Sequence, residues 1–308
     1  MSADYPATSY CGRFAPSPSG PLHFGSLVAA VGSYLDARHW GGRWLLRIED
    51  IDTPRNLPGA ADDIQATLEA FGFEWDGPVL YQSARREAYA EALERLKTTG
   101  LVYGCACSRK EIADSSHRPA IDGGLAYPGT CRAGLAPGRQ ARAWRLRVDD
   151  QAVAFDDHVQ GRLVQHLASD VGDFVLQRAD GLFAYQLAVA VDDAFQGISD
   201  VVRGADLLDS TPRQIYLQRS LDYSTPRYAH LPVVCNAAGE KLSKQTLAPA
   251  LNKENVAGQL VQALSFLGQA VEPRLASASV AEVWAWAIAQ WSIERVPRRR
   301  LSPLTNPA

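Results

Sequence analysis

The sequence predicts an α/β protein built on a parallel sheet, and three neighbouring segments carry that expectation. Ser9–Phe14 is short and partly apolar, and it runs into Ala15-Pro16-Ser17-Pro18-Ser19-Gly20-Pro21, whose prolines exclude helix and inner strand. From Gly25 to Arg38 the residues Leu27, Val28, Val31, Tyr34 and Leu35 recur at helical spacing, and Gly41-Gly42 closes that helix. Arg43–Glu49 sets Trp44, Leu46 and Ile48 against Arg43, Leu45 and Arg47, the alternation of a strand. Strand, loop, helix and strand make one βαβ unit, so the two strands are expected to be parallel with a right-handed crossover.

The later elements follow in order. Pro58–Phe71 and Ala84–Thr99 read as amphipathic helices around a loop-like Gly72–Gln82. Tyr103–Arg142 changes character: it holds three of the five cysteines, is rich in glycine and proline, and has little periodicity. It reads as an insertion stabilised by something other than an apolar core. Short strands are expected at Ala143–Val148, Ala152–Asp156 and Asp173–Gln177, then a helix at Tyr185–Phe195 and a strand at Asp200–Arg203. Pro212–Leu221 reads as a helix with Pro212 suited to its first turn, and Tyr228–Cys235 as a strand ending in the polar loop Asn236–Gln245. Two helices close the chain, Asn252–Gly268 and Ser279–Ser292, with Asn252 and Ser279 as caps.

Composition narrows the class. The chain has 308 residues, 46% hydrophobic and 21% charged, which supplies a sizeable core and excludes wholesale disorder. With 31 basic against 34 acidic residues the net charge is -3, which argues against non-specific coating of nucleic acid while allowing a local basic face. No apolar run approaches the ~18 residues of a membrane span, and Met1–Thr8 lacks the layout of a secretory signal, so a cytoplasmic protein is expected. Nothing demands more than a monomer. An odd number of cysteines does not read as a disulfide framework.

Two loops carry candidate chemistry. The first places His23 and Gly25 where a strand feeds a helix, at the edge of a parallel sheet where phosphates bind. The second is Lys241-Leu242-Ser243-Lys244-Gln245, whose two lysines can balance charge developing on a triphosphate. No G-x-x-x-x-G-K-[ST] loop occurs anywhere, so any use of ATP needs another device. Cys105-x-Cys107, Tyr127 and Cys131 offer three thiolates and a phenolate close enough in sequence to surround one ion, with His117 a rival fourth ligand and buried thiols the alternative. Cys11 and Cys235 fall on expected strands and read as core residues.

Arg13-Phe14-Ala15-Pro16-Ser17-Pro18-Ser19-Gly20-Pro21-Leu22-His23-Phe24-Gly25 resembles the HIGH region of class I glutamyl-tRNA synthetases, and Arg47–Arg55 resembles the stretch that follows it there. Lys241–Gln245 is similar to the KMSKS loop of those enzymes, with Leu242 and Gln245 replacing its Met and final Ser. The resemblance covers about Ser9–Gln245 and implies a class I synthetase fold. That fold is a Rossmann-type parallel sheet with an inserted α+β, zinc-containing, acceptor-binding-like domain and a short helical C-terminal part. The implied division is 1–102 and 181–245 for the two halves of the catalytic domain, 103–180 for the insertion and 246–308 for the helical region. Since so little chain follows the lysine loop, no anticodon-binding domain is expected, and the match narrows to the truncated branch of the family, the glutamyl-Q tRNA(Asp) synthetases.

That branch implies ATP-dependent activation of L-glutamate without tRNA, then transfer to the queuosine base in the anticodon loop of tRNA(Asp). The rival readings are a minimal glutamyl-tRNA synthetase that charges a tRNA 3′ end and a catalytically silent RNA-binding paralogue. By the same resemblance Arg13, Phe14, Ala15, Pro16 and Ser17 contribute to the glutamate site, with Arg13 suited to a bidentate carboxylate contact. Glu49 is expected to hold the substrate ammonium, and Tyr185 and Arg203 to complete the pocket. His23, Gly25 and Lys244 would bind ATP, and His23, Lys244 and Lys241, with Mg²⁺, would stabilise the transition state of adenylate formation. The family also carries the Cys105/Cys107/Tyr127/Cys131 set as a structural zinc site. Arg298-Arg299-Arg300 reads as a solvated basic tail.

Overall fold

The computed structural model describes residues 10–116, 118–121, 123–236, 239–241 and 249–304. Strand β1 (Cys11–Phe14), helix α1 (Phe24–His39) and strand β2 (Arg43–Ile48) form the expected βαβ unit, with Cys11 opposite Arg43 and Phe14 opposite Leu46 in a parallel pair. Gly32 lets α1 lie close on the sheet, because a Cβ there would meet Leu231 Cδ1 at 2.4 Å. The alternation read in β2 hides one fact: Arg47, on the face opposite Trp44, is fully buried, since helices cover both faces of an inner parallel strand.

Helix α2 (Ala60–Ala70) leads to β3 (Leu80–Tyr81), which pairs in parallel with β2 inside the stretch read as a loop. Two residues cannot show a period, so pairing with β2 alone makes them a strand. Helix α3 (Arg86–Thr98) follows, then β4 (Val102–Cys105), α4 (Arg109–Ser115), β5 (Ala143–Leu146), β6 (Ala152–Asp157), β7 (Gly161–His166), α5 (Leu167–Asp170) and β8 (Phe174–Gln177). Helix α4 lies inside the segment with little periodicity and is held by a capping box between Ser108 and Glu111. Strand β7, not expected from sequence, hairpins onto β6.

Helix α6 (Tyr185–Phe195), strand β9 (Asp200–Gly204) and helix α7 (Thr211–Ser220) match their expected positions, with Pro212 in the first turn of α7. The next expected strand is divided by Pro232 into β10 (Arg227–Leu231) and β11 (Val233–Cys235). Helix α8 (Val256–Phe266) starts later than expected: Asn255 stands at its N-cap, while Asn252 Oδ1 accepts from Glu254 N in a local turn. Helix α9 (Val280–Gln290) begins at Ser279 as expected, with a full capping box to Glu282.

The basic tail is not free. Strand β12 (Leu301–Pro303) pairs with β11, Val233 N donates to Arg300 O, and Arg300 pairs with Asp209 at 3.0 Å. The side chains of Arg298, Arg299 and Arg300 stay exposed, while the backbone after them pairs with a free edge.

The strands form sheets in the orders β1-β2-β3, β7-β6-β10-β9, β4-β5-β8 and β11-β12. The first two adjoin: Cys11 N donates to Ser199 Oγ at 2.8 Å and Ser199 N to Cys11 O at 3.0 Å, which sets β9 beside β1. Reading outward from β1, the chain winds to β2 and β3 on one side and to β9 and β10 on the other. That reversal opens a crevice at the carboxyl ends of β1 and β9, where α/β sheets bind ligands. Beneath it Trp44 stacks on Phe14 and Phe73, and Tyr34 meets Trp44, Phe73 and Trp284 edge-on. The Trp284 indole also donates to Phe71 O and Trp291 to Asp36, so helix α9 and the chain after it are fastened to the elements around the β1-β2-β3 sheet. Among the described residues no helix is long and apolar enough to cross a membrane.

Candidate active site

The crevice is a cavity of about 1030 Å³, the size of a pocket for a nucleotide and a small substrate. Its wall takes Arg13, Phe14 and Ala15 from the end of β1, and Pro16 and Ser17 from the proline loop. Glu49, Tyr185 and Arg203 line it from the ends of β2, α6 and β9. His23, Gly25 and Lys241 line the remaining side. Residues about two hundred positions apart in sequence thus share one cavity. Lys244 and its neighbours Leu242, Ser243 and Gln245 lie outside the described residues, as does His117.

The prolines free the loop after β1 to turn under the sheet edge, where Pro16 O accepts from Glu49 N at 3.0 Å. His23 caps helix α1: its Nδ1 accepts from Gly25 N at 3.1 Å. An Nδ1 that accepts leaves the proton of a neutral imidazole on Nε2, so His23 presents a donor beside the positive end of a helix. Lys241 forms an ion pair with Asp206 at 2.5 Å across the mouth of the same cavity.

On the opposite wall the charges are organised in two sets. Arg13 Nε lies 3.2 Å from Asp193 Oδ1, Arg47 Nη2 lies 2.8 Å from the same oxygen and 3.4 Å from Glu49 Oε1, and Arg47 Nη1 donates to Gln196 at 2.8 Å. Two arginines and two carboxylates balance. The contact from Arg13 to Asp193 occupies Nε and leaves its terminal nitrogens without a hydrogen bond among the described residues, as a carboxylate-binding fork requires. Burial pushes the Glu49 carboxyl up, against the opposing pull of Arg47 and Arg13. Such a carboxylate gains from an added cation. Burial also raises the Tyr185 phenol, with the Glu49 charge adding to the effect, so Tyr185 stays a neutral donor.

Arg203 forms the second set. It is 5% exposed, yet its hydrogen-bonding side chains are all uncharged: His230, Thr211 and Gln214. Its Nη1 is buried without a hydrogen-bond partner among the described residues. A buried guanidinium with neutral neighbours and an orphan nitrogen leaves a net positive charge on this wall, which an anionic ligand would satisfy. Sequence reasoning found Arg203 but missed Arg47, Asp193, His230 and Asp157, which hold these groups. A charged residue in an apolar strand, such as Arg47 between Leu46 and Ile48, was the available signal.

The cysteine cluster is separate. The sulfurs of Cys105, Cys107 and Cys131 lie within 4.8 Å of one another, and all three are free thiols. A tetrahedral zinc with bonds of ~2.3 Å to sulfur needs sulfur–sulfur edges of roughly 3.8 Å. The Cys107–Cys131 separation is 3.6 Å, and the Tyr127 hydroxyl stands 3.4 Å from Cys105 Sγ and 3.6 Å from Cys107 Sγ. The donor set therefore fits a metal ion. Burial raises the Cys105 thiol, but the neighbouring Tyr127 hydroxyl and Arg145 guanidinium outweigh it and bring the thiol below its ordinary value. Few apolar side chains surround the cluster, chiefly Tyr103, Ile112 and Leu135, in keeping with a segment that lacks a core of its own.

Comparison with known proteins agrees with this geometry. The model of tRNA synthetases class I (E and Q), catalytic domain, matches residues 11–269. A glutamyl-Q tRNA(Asp) synthetase of Dechloromonas aromatica is 72% identical over 292 residues, covering 95% of this chain and 97% of that one. One of Aromatoleum aromaticum is 61% identical over 296 residues, covering 96% and 93%. The crystal structure of a glutamate tRNA ligase from Elizabethkingia meningosepticum in complex with its amino acid superposes with a TM-score of 0.80 at 25% identity, covering 96% of this chain and 67% of that one. With a catalytic-domain match over most of its length and such identity over nearly the whole of both chains, this chain belongs to the class I tRNA synthetase family of the E and Q type, among the glutamyl-Q tRNA(Asp) synthetases.

Proposed function

We propose that this protein activates L-glutamate with ATP, without tRNA, and transfers it to the queuosine base in the anticodon loop of tRNA(Asp). The observation that supports this best is the charge pattern of the crevice: an unsatisfied Arg203 and an open Arg13 fork for carboxylates, with a buried Glu49 whose carboxyl is pushed up by burial for an ammonium, beside a histidine-capped helix start. Glutamate carries two carboxylates and one ammonium, and the wall offers one partner for each.

In this reading Arg13 and Arg203 take the two carboxylates, Glu49 takes the ammonium, and Tyr185 and the 14–17 backbone close the pocket around the side chain. The substrate α-carboxylate then attacks the α-phosphorus of ATP, forming glutamyl-adenylate and releasing pyrophosphate. His23 donates through Nε2 to the phosphate oxygens, Gly25 lets them approach the α1 backbone, and Lys241 and Lys244 balance the charge that develops. Lys241 must leave Asp206 to do so. Mg²⁺, when bound with ATP, neutralises phosphate charge. A hydroxyl of the modified base attacks the acyl carbon of the mixed anhydride, forming an ester and releasing AMP and the hydroxyl proton, and since AMP is a good leaving group no protein nucleophile is required.

Cys105, Cys107, Cys131 and the Tyr127 oxygen would hold one zinc ion, which orders the segment and takes no part in the chemistry. Residues 1–102 and 181–245 would make the catalytic halves, 103–180 the insertion and 246–308 the helical region.

The test is glutamate-dependent ATP–pyrophosphate exchange in the absence of tRNA, followed by transfer of labelled glutamate to tRNA(Asp) with and without queuosine. Exchange and queuosine-dependent labelling are expected. Label on a tRNA 3′ end would instead identify a minimal glutamyl-tRNA synthetase, and absence of exchange a silent RNA-binding protein.

A further inference from the structure

Arg203 lines the cavity and is held by a chain of hydrogen bonds that reaches into a different part of the fold. Its Nε donates to His230 Nε2 at 3.0 Å, and its Nη2 donates to Thr211 Oγ1 and Gln214 Oε1, each at 2.8 Å. His230 faces Arg203 directly because the two are register partners in the parallel pair β9–β10. Arg203 can donate to Nε2 only while the imidazole proton sits on Nδ1. Nδ1 lies 2.5 Å from Asp157 Oδ2 at the end of β6, the strand that pairs with β10 on its other side. The other carboxylate oxygen, Oδ1, accepts from Val159 N, Gln160 N and His230 N at 3.0, 2.8 and 3.1 Å. Asp157 is thus fixed as an acceptor on both oxygens.

We propose that Asp157 and His230 are positioning residues for glutamate: Asp157 locks the Nδ1–H tautomer of His230, and His230 Nε2 sets the Arg203 guanidinium so that Nη1 points at a substrate carboxylate. The inference rests on the reading of Arg203 as a glutamate ligand. The imidazole between them has a physical purpose. A carboxylate placed directly on Arg203 would neutralise it and compete with the substrate, whereas a neutral ring orients the guanidinium and keeps the balancing charge one residue away. Arg203 then retains the positive charge that separates a carboxylate from an uncharged amide. The relay also couples β6, in the segment between the catalytic halves, to the floor of the glutamate site.

The consequence is a pattern that mere structural support would not produce. In Asp157→Asn the amide oxygen can keep the three backbone bonds, but its NH₂ group then faces Nδ1. The imidazole then carries its proton on Nε2, where it can donate to Thr211 Oγ1 at 3.1 Å but no longer accepts from Arg203. In His230→Gln, Oε1 can stand in for Nε2 as acceptor and no tautomer exists to be set. His230→Leu removes the acceptor altogether.

The experiment measures KM for glutamate and for ATP in tRNA-independent pyrophosphate exchange by the full chain, with melting temperatures recorded alongside. Asp157→Asn and His230→Leu are expected to raise KM for glutamate by about tenfold or more, the effect of a lost hydrogen bond to a charged group, and to leave KM for ATP within about twofold. His230→Gln should remain within about threefold of wild type for both substrates, and the double variant D157N/H230Q should match H230Q, because the tautomer constraint has been removed. If H230L does not fold, the single and double variants at 157 still decide. The inference is overturned if D157N leaves KM for glutamate unchanged or raises both KM values together, if H230Q is as impaired as H230L, or if the double variant is the sum of the two. A wild-type protein without glutamate-dependent exchange would overturn the reading of the site and this inference with it, whereas an active wild type with the wrong variant pattern overturns the inference alone.

Discussion

Asp193 sits where two arginines from adjacent strands converge, 3% exposed, and its charge is what permits Arg13 and Arg47 to be buried there. Burial alone would raise its carboxyl, but Arg13 and Arg47 hold it below the usual range. Asp193→Asn keeps the shape and removes the charge, which leaves the pair of guanidinium groups under-compensated. The expected cost is about 3 kcal/mol of stability by denaturant titration, with weaker glutamate binding because the Arg13 fork loses its anchor. His230 gives a second expectation. Burial holds its imidazole down at about 4, against the pull of Asp157, and Arg203 beside it adds to the lowering. Since the folded value lies below the ordinary one, its contribution is complete above about pH 6.5 and is lost as pH falls toward 4. Asp157, also held low by His230 despite burial, acts in the same direction but only below its own ordinary value, beneath the His230 window. Stability should therefore fall by up to about 1.4 kcal/mol per pH unit through that window, and His230→Gln should flatten the slope in a pH series of urea melts.

At the scale of elements, local chemistry and pairing contribute differently. Helix α9 starts where its sequence says because Ser279 and Glu282 satisfy each other's backbone groups. Ser279→Ala should cost about 1 kcal/mol in denaturant unfolding, as loss of a cap does, and leave pyrophosphate exchange unchanged, since neither Ser279 nor Glu282 lines the crevice. Helix α1 was legible because Leu27, Val28, Val31, Tyr34 and Leu35 recur at helical spacing, and α7 because Pro212 suits a first turn. Strands β3, β7 and β12 were not. β3 and β12 are short and exist because a neighbour offers an unpaired edge, while β7 forms by hairpin pairing with β6. Asn252 was expected to cap α8 and instead closes the turn before it, a choice between two asparagines that propensity cannot make. Pro232 splits one apolar run into β10 and β11, and so sends β11 to pair with β12 beside the loop that carries Lys241.

Over the whole molecule, the apolar core is continuous under the catalytic sheet and thin around Cys105, Tyr127 and Cys131. One zinc per chain is therefore expected by elemental analysis, with three fewer titratable thiols in the metal-loaded protein than in the chelated one. Chelation should expose the 103–142 segment to protease while the sheet formed by β1, β2 and β3 remains folded. Gly172 gives a way to disturb this site from a distance: a Cβ there would meet Tyr127 O at 2.5 Å, so Gly172→Ala should weaken metal retention. By itself the sequence determined the βαβ start, the long helices, the two candidate loops and the cysteine set, because periodicity, proline and glycine act over a few residues. The resemblance to glutamyl-tRNA synthetases pointed further to Arg13 and Glu49, inside matched motifs, and to Tyr185 and Arg203, at matching positions outside them. Only the tertiary structure decided that these four line one cavity with His23 and Lys241, that Arg47 and Asp193 carry the buried charge beneath them, and that His230 and Asp157 stand behind Arg203. The reason is the reversal of strand order at β1 and β9: it brings together side chains far apart in sequence, and the low-dielectric interior then requires each buried charge to find a partner.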